Sequence, residues 1–177
     1  MSGIPGSYRS PRCVVRPSGV HGSGLFAAEP IPQGEVIAIR GGHIVPKAVA
    51  LDIDARLGGY SHPLTDDWFL APLDASEVED VVIFFNHGCT PNIAPQGQVV
   101  FAATRDIAAG EEILCDYVTI VCYPEYKLQC RCGSAECRSV VTGDDWRTPE
   151  LQQRYRGRFS TQIQQKIDAG RGGESHE

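Results

Sequence analysis

Long apolar runs are missing from this chain. The longest reach five residues, as at Val81–Phe85, whereas a helix that crosses a bilayer needs about 20. No charged-then-apolar stretch opens the sequence either, because Met1–Ser10 is small and polar; neither a membrane span nor a secretory leader is expected. Positive charge is in deficit: 16 Lys and Arg face 22 Asp and Glu, giving a formal charge of −6 and a pI near 5.3. That balance weighs against a protein that lives by holding DNA or RNA backbone. Repeats and low-complexity tracts are absent. So is an even cysteine count, since seven thiols cannot form a fully paired secreted framework. The expectation is a soluble intracellular protein, cytoplasmic or, in a eukaryote, nuclear, with no membrane or direct nucleic-acid partner. Its cysteines are then thiols or metal ligands, and its oligomeric state is not legible.

What is present is globular composition. Of 177 residues, 42% are hydrophobic and 21% charged, with a mean hydropathy of −0.19, enough for one compact domain and a small appendage. Charge is unevenly spread: residues 1–126 carry 7 basic and 15 acidic side chains, whereas residues 127–171 carry 9 basic and 5 acidic. An acidic body suits a cationic partner such as a basic peptide, and it is equally the ordinary state of a soluble acidic chain.

Local signals give short strands and few helices. Cys13–Arg16, Leu25–Ala28, Trp68–Ala71, Val99–Ala103 and Ile113–Tyr117 read as strands. Val36–Ile39 and Ile44–Val45 flank Arg40-Gly41-Gly42-His43 and read as a hairpin. Pro46 opens a helix to Leu57 closed by Gly58-Gly59, and Glu77–Phe85 reads as a second helix burying Val78, Val81 and Phe85. Toward the end, Thr148-Pro149-Glu150 starts a helix that Gly157 interrupts, and Ser160 caps another with Ile163 and Ile167 on one face. This pair is expected to pack on the body, and residues 171–177 to fray. Many short strands without crossover helices indicate a mostly β fold with short helices.

Four segments can carry chemistry. Gly22-Ser23-Gly24-Leu25-Phe26-Ala27 fits a loose G-x-G-x-x-A loop, but Pro30, Pro32 and Gly34 follow where a dinucleotide fold needs a helix. A glycine turn remains, free to approach a ligand or simply to turn. Asn86-His87-Gly88-Cys89-Thr90-Pro91-Asn92 sets polar groups against Phe84 and Phe85; His87 can be a base, a ligand or a buried core histidine. Gly110-Glu111-Glu112-Ile113-Leu114-Cys115-Asp116-Tyr117 is a turn feeding a strand, with Glu111 and Glu112 read as solvated and Tyr117 as packing or a reactive hydroxyl. Cys130, Cys132 and Cys137 place three thiols within eight residues around a glycine turn and resemble the knuckle of a structural zinc site. Zinc takes four tetrahedral ligands, and spacing leaves Cys89, Cys115, Cys122, Cys13 or a histidine open as the fourth.

In this order the segments resemble the SET-domain protein-lysine methyltransferases with a post-SET zinc knuckle: G-x-G, then N-H-x-C-x-P-N, then G-E-E-L-x-x-D-Y, then C-x-C-x4-C. The match runs from about Cys13 to Val141. The resemblance implies small curved sheets around a pseudoknot, and a division into a SET domain at 11–123, a zinc-binding segment at 124–143, a helical tail at 144–170 and a flexible end at 171–177. It implies S-adenosylmethionine as methyl donor, S-adenosylhomocysteine as product, one structural Zn2+ and a lysine-containing basic protein, histone-like among others, as substrate. Gly22, Ser23, Gly24, Asn86, His87 and Tyr117 are then the cofactor-binding residues, and Tyr117 the catalytic one. Cys115 and Tyr60 line the lysine channel, and Cys89 joins Cys130, Cys132 and Cys137 on the metal. The chain departs from the family where Cys115 replaces an aromatic residue and Arg40-Gly41 replaces an aromatic-containing stretch, and no cysteine-rich region precedes Cys13. A SET module that binds peptide or cofactor without turnover, or a purely structural zinc protein, are the competing readings.

Overall fold

A computed structural model describes residues 6–173, with side chains to residue 170; the fraying expected of residues 171–177 therefore lies largely outside the described residues. In chain order the elements are β1 (Tyr8–Arg9), β2 (Cys13–Pro17), β3 (Ser23–Ala27), β4 (Val36–Ile39), β5 (His43–Pro46), α1 (Lys47–Leu57), β6 (His62–Pro63), β7 (Trp68–Ala71) and α2 (Val78–Val81). Then come β8 (Asn86–His87), β9 (Ile93–Gln96), β10 (Val100–Ala103), β11 (Leu114–Cys115), β12 (Lys127–Gln129), β13 (Val140–Thr142), α3 (Pro149–Arg154) and α4 (Thr161–Gly173). Among the described residues they form a six-stranded sheet in the order β1-β4-β10-β9-β11-β8, a three-stranded sheet β5-β7-β6, and the hairpins β2-β3 and β12-β13. Mostly β with short helices, this is the architecture expected. No helix among the described residues is long and apolar enough to cross a membrane.

The main core is built by residues of β3, β4, β9 and β10 together with the loops around Ile107 and Ile113. Leu25, Ile37, Ile93, Phe101, Ile107 and Ile113 are all essentially inaccessible and pack together. A second cluster joins Val118 and Cys122 to Trp146, Tyr155, Phe159, Ile163 and Ile167. The C-terminal helices thus pack on the body, as their apolar spacing predicted.

Four local expectations are corrected. Val36–Ile39 and Ile44–Val45 do not form a hairpin: β4 pairs with β1 and β10, while β5 pairs with β7, Ile44 opposite Leu70. Gly42 sends the chain from one sheet to the other at φ +129, where a Cβ would stand 3.1 Å from Ala71 N and Val81 Cγ1; only glycine fits that crossing. The helix expected over Glu77–Phe85 ends at Val81, whose carbonyl accepts from Ser7 Oγ at 2.6 Å and Arg40 Nη1 at 2.8 Å. The strand expected to reach Tyr117 stops at Cys115, because Asp116 caps a 3-10 turn by accepting from Val118 N at 3.1 Å. The Ser160 hydroxyl is buried without a hydrogen-bond partner among the described residues and does not cap α4; the Ser160 carbonyl begins that helix by accepting from Gln164 N at 2.9 Å.

Candidate functional site

Strand β11 lies between β8 and β9 and runs parallel to both, with Leu114 opposite Asn86 and Cys115 opposite both His87 and Ile93. The segment ending in Asp116-Tyr117 is therefore threaded between the two strands that flank the Cys89-Thr90-Pro91 turn. Asn92 fastens this crossing. Its Oδ1 accepts from Leu114 N at 2.8 Å, and its Nδ2 donates to the Glu112 carbonyl at 2.8 Å and to Glu111 Oε1 at 3.0 Å. Parallel strands so short gain little from their ladder alone, so the amide supplies bonds that the sheet lacks.

Asn86 performs the same task for the glycine turn. Its Nδ2 lies 3.1 Å from the carbonyls of His21 and Ser23 and 3.0 Å from Glu112 Oε1. Glu112 also accepts from Ser18 Oγ at 2.6 Å, and Glu111 pairs with Arg105. Both glutamates organise the loops, which corrects the expectation that they are merely solvated. Gly24 lies close against the pair of Glu112 and Ser18: a Cβ there would meet Glu112 Oε1 and stand 2.9 Å from Ser18 Cβ, so a side chain would push the tie aside. Gly22 and Ser23, by contrast, are exposed at the rim, and nothing lies within 4 Å of where a Cβ on Gly22 would stand.

His87 is 3% exposed and faces inward. Its Nδ1 accepts from Tyr117 N–H at 3.2 Å, while Nε2 lies 3.4 Å from Cys89 Sγ. An Nδ1 that accepts an amide proton leaves the ring proton on Nε2, directed at the sulfur. Burial first, helped by the Arg138 charge and opposed by Asp116, pushes the His87 pKa down to about 4, so the ring is neutral at pH 7. It is a spacer between cysteine, tyrosine and aspartate, carried on edge strand β8.

Tyr117 stands at the junction. Its hydroxyl donates to the Phe85 carbonyl at 2.9 Å, and its ring meets His87, Phe85 and Tyr126 edge-on at centroid distances of 5.3, 6.4 and 6.4 Å. Tyr123 continues this aromatic wall at 5.6 Å from Tyr126. Burial raises the Tyr117 pKa well above that of free tyrosine, so the phenol keeps its proton and can orient a group without acting as a base. Phe84, beside the accepting carbonyl, holds φ +66, a conformation costing a non-glycine residue about 1–3 kcal/mol.

The remaining site candidates fall nearby. Cys115 is fully buried in the main core, its Sγ 3.8 Å from Thr119 Oγ1. Tyr60 offers its carbonyl to Arg40 Nη2; among the described residues no ring contact joins Tyr60 to Tyr117. Arg40 is buried with Nε unpartnered, and burial lowers its pKa to about 10, against the pull of Asp54 and Tyr117. The side-chain amides of Asn86 and Asn92 satisfy irregular backbone, one of the two roles their residue type suggested; sequence reasoning missed the bracing roles of Glu112 and Arg138, and the aromatic pair Tyr123 and Tyr126, whose spacing three apart just after Tyr117 was the available signal.

Cys89, Cys130, Cys132 and Cys137 come together with all four Sγ atoms within 4.8 Å of one another. Cys130 Sγ lies 3.9 Å from Cys89 Sγ and 3.6 Å from Cys137 Sγ. A tetrahedron of thiolates about 2.3 Å from a zinc ion has edges of about 3.8 Å, so the donor set fits such an ion. Cys13, Cys115 and Cys122 lie elsewhere, on β2 and in the two cores. Burial raises the pKa of Cys89 and Cys130; at Cys132 burial also pulls upward, but hydrogen bonds at Ser134, Cys89 and Cys130 together outweigh it and lower the thiol to about 6. Arg138 N–H donates to Cys89 Sγ at 3.4 Å, an arrangement suited to a thiolate. The cluster could hold a metal.

Comparison with known proteins places the chain in a family. The family model for the SET domain matches residues 22–118. A histone-lysine N-methyltransferase of Yarrowia lipolytica, described as H3 lysine-4 specific, is 33% identical over 137 residues, 70% of this chain and 12% of its own length. The Schizosaccharomyces pombe protein of the same description is 32% identical over 140 residues, 71% of this chain and 14% of its own. The chain thus spans about an eighth of the length of these relatives. Among solved structures, an active polycomb repressive complex 2 in the basal state aligns with 59% of this chain and 15% of that one, at 26% identity and a TM-score of 0.49. With the family model covering more than half of its length, the chain belongs to the SET-domain family.

Proposed function

We propose that this protein is an S-adenosylmethionine-dependent protein-lysine N-methyltransferase that acts on a basic protein segment of histone-tail type. The observation that carries the reading is the β8-β11-β9 crossing, which gathers Asn86, His87, Tyr117 and the cysteine cluster at one place. The relatives' names support histone H3 as substrate class, and the acidic first 126 residues suit a cationic tail. Residues 124–143 are read as a zinc-binding lid, held by Cys89 and its three partners, and residues 144–170 as a helical tail.

The residues present fit the cofactor. Gly22 and Ser23 are exposed at the rim, Asn86 ties that turn to β8, and β8 is an edge strand, so the turn and the strand edge offer the cofactor a common border. Bound S-adenosylmethionine supplies an electrophilic methyl group on a sulfonium. Displacement at that carbon must be in line, so the chain's contribution is alignment. Tyr117, fixed by Phe85 O, His87 Nδ1 and its ring neighbours, presents a protonated hydroxyl that orients the amine. A lysine amine reacts only when neutral, against an ordinary pKa of about 10.4. The apolar wall of Phe85, Tyr123 and Tyr126 disfavours its charged form by desolvation. Cys115, where the family carries an aromatic ring, leaves room for more than one methyl group on the nitrogen.

Transfer of labelled methyl from S-adenosylmethionine to recombinant histone H3 and to a panel of lysine-bearing basic peptides tests the reading. Wild-type protein is expected to label a lysine, and Tyr117→Phe to lose at least about 100-fold in rate. Equal labelling by the variant removes Tyr117 from the mechanism. Cofactor binding by calorimetry without any transfer favours the module without turnover.

A further inference from the structure

The helices after residue 143 lie beyond the 22–118 segment matched to the family, yet they reach the residue next to Tyr117. Tyr155, the residue that ends α3, is 3% exposed and donates its hydroxyl to Asp116 Oδ2 at 2.7 Å. Arg138 binds the same carboxylate with both Nη atoms, at 2.7 Å each, and Asp116 is fully buried. Burial works against that charge, but the hydrogen bonds and charge of Arg138 outweigh it and hold the carboxyl below its ordinary range. The other oxygen of Asp116 caps the turn over Tyr117–Thr119 through Val118 N at 3.1 Å.

The same tail touches this turn and the cysteine cluster again. Ser160 N donates to the Thr119 carbonyl at 2.8 Å. Val118 and Cys122 are buried by Trp146, Phe159, Ile163 and Ile167. Arg154, one residue before Tyr155, donates to the Cys89 carbonyl at 2.8 Å and pairs with Glu136 at 2.6 Å. Tyr117 is thus gripped from two sides: Phe85 and His87 fix its hydroxyl and amide, and the tail fixes the turn that follows it. A tail that served only to bury apolar surface would not need a buried phenol on the carboxylate beside Tyr117.

We propose that Tyr155 is a positioning residue of the methyl-transfer site, and that docking of α3 and α4 sets the placement of Tyr117 through Asp116. The proposal rests on the methyltransferase reading above. The absent hydroxyl in Tyr155→Phe leaves the carboxylate short of one donor while the ring keeps its place against Phe159, 6.2 Å away in an edge-on pair. Asp116 can then shift toward Arg138, and the turn that carries Tyr117 shifts with it. Misplacement of a reacting group by a fraction of an ångström is felt in the rate and hardly in substrate binding.

The test uses the full chain, the Tyr155→Phe variant, and Leu151→Ala, which loosens α3 without touching Asp116. Gln165→Ala, an exposed position on α4, is the control. Rates are taken well below each melting temperature and normalised to folded, metal-loaded protein, with amide hydrogen exchange measured over residues 116–122. The expected result is a kcat about tenfold lower for Tyr155→Phe, with the peptide KM and the S-adenosylmethionine Kd within twofold of wild type. Amide protection falls at Val118–Val121, Leu151→Ala shows a smaller loss of the same kind, and Gln165→Ala is unchanged. Wild-type kcat in Tyr155→Phe, or a loss confined to KM or to metal content, overturns the proposal. If the wild-type chain transfers no methyl group at all, the methyltransferase reading fails by itself. The exchange measurement then still decides the brace: unchanged protection at residues 117–121 in Tyr155→Phe sinks it.

Discussion

Acidification offers a direct check on the electrostatics around Arg40. His62 is 6% exposed, meets Phe101 edge-on at 5.8 Å, and its Nε2 donates to the Gln98 carbonyl at 2.9 Å. Burial, then the Arg40 charge, push its pKa from 6.5 down to about 4, although the bond to Gln98 pulls the other way. The unfolded chain therefore binds a proton that the folded chain refuses. A depressed histidine contributes stability that is complete above the unfolded pKa of 6.5 and is lost as pH falls toward 4. Linkage over that interval gives about 3 kcal/mol lost between pH 7 and pH 4, a large share of the 5–15 kcal/mol that holds a typical domain. Urea unfolding followed by the fluorescence of Trp68 and Trp146, at half-unit steps from pH 7 to pH 4.5, measures it. His87 and the cysteine cluster also titrate, but they do so equally in His62→Gln and cancel in the difference. The wild-type curve is expected to fall below that of the variant by a widening gap, reaching about 2 kcal/mol at pH 4.5. A gap constant within about 0.5 kcal/mol across the range refutes the argument, because His62 would then share its pKa between the two states.

Other perturbations address the site itself. Asn86→Ala removes the amide shared by the carbonyls of His21 and Ser23 and by Glu112; it is expected to weaken S-adenosylmethionine binding about tenfold in calorimetry and to cost about 2 kcal/mol of stability. Cys130→Ser is expected to abolish the one metal ion per chain seen in native mass spectrometry and to expose residues 124–143 to protease, whereas Cys122→Ser leaves the ion bound. If instead Cys122→Ser releases it, the assigned donor set is wrong. Mass spectrometry of the product should find two or three methyl groups on the target lysine, and Cys115→Phe should shift it toward one while overpacking costs about 1–3 kcal/mol. A wild-type product carrying strictly one methyl group contradicts the space assigned to Cys115.

Much of the local structure was written in short stretches of sequence. Gly58 ends α1 with a left-handed backbone at φ +116, Pro149 opens α3, and Ile163 and Ile167 face one core, as their spacing indicated. These features depend on a residue's own conformational limits and on neighbours within a turn, so they survive whatever the rest of the chain does. The order of the four motifs was equally legible, and the family match spans the first three of them. Less legible was any choice among distant partners. Glycines between Arg40 and His43 signalled a reversal but not that its two strands enter different sheets, because both outcomes satisfy the same local backbone.

By itself, then, the sequence determined the class of the fold, three of the four cysteines of a candidate metal site and the segments on which chemistry can sit. The tertiary structure alone decided the rest. It brought Cys89, which spacing left open and only the family resemblance singled out, against Cys130, Cys132 and Cys137, turned His87 inward, recruited Glu112 as a loop tie, and set Tyr155 against Asp116 across 39 residues of chain. The physical reason is common to all four. A buried polar group must find a partner wherever the packed chain brings one, and which group arrives is fixed by how sheets and helices close around the β8-β11-β9 crossing, not by spacing along the backbone.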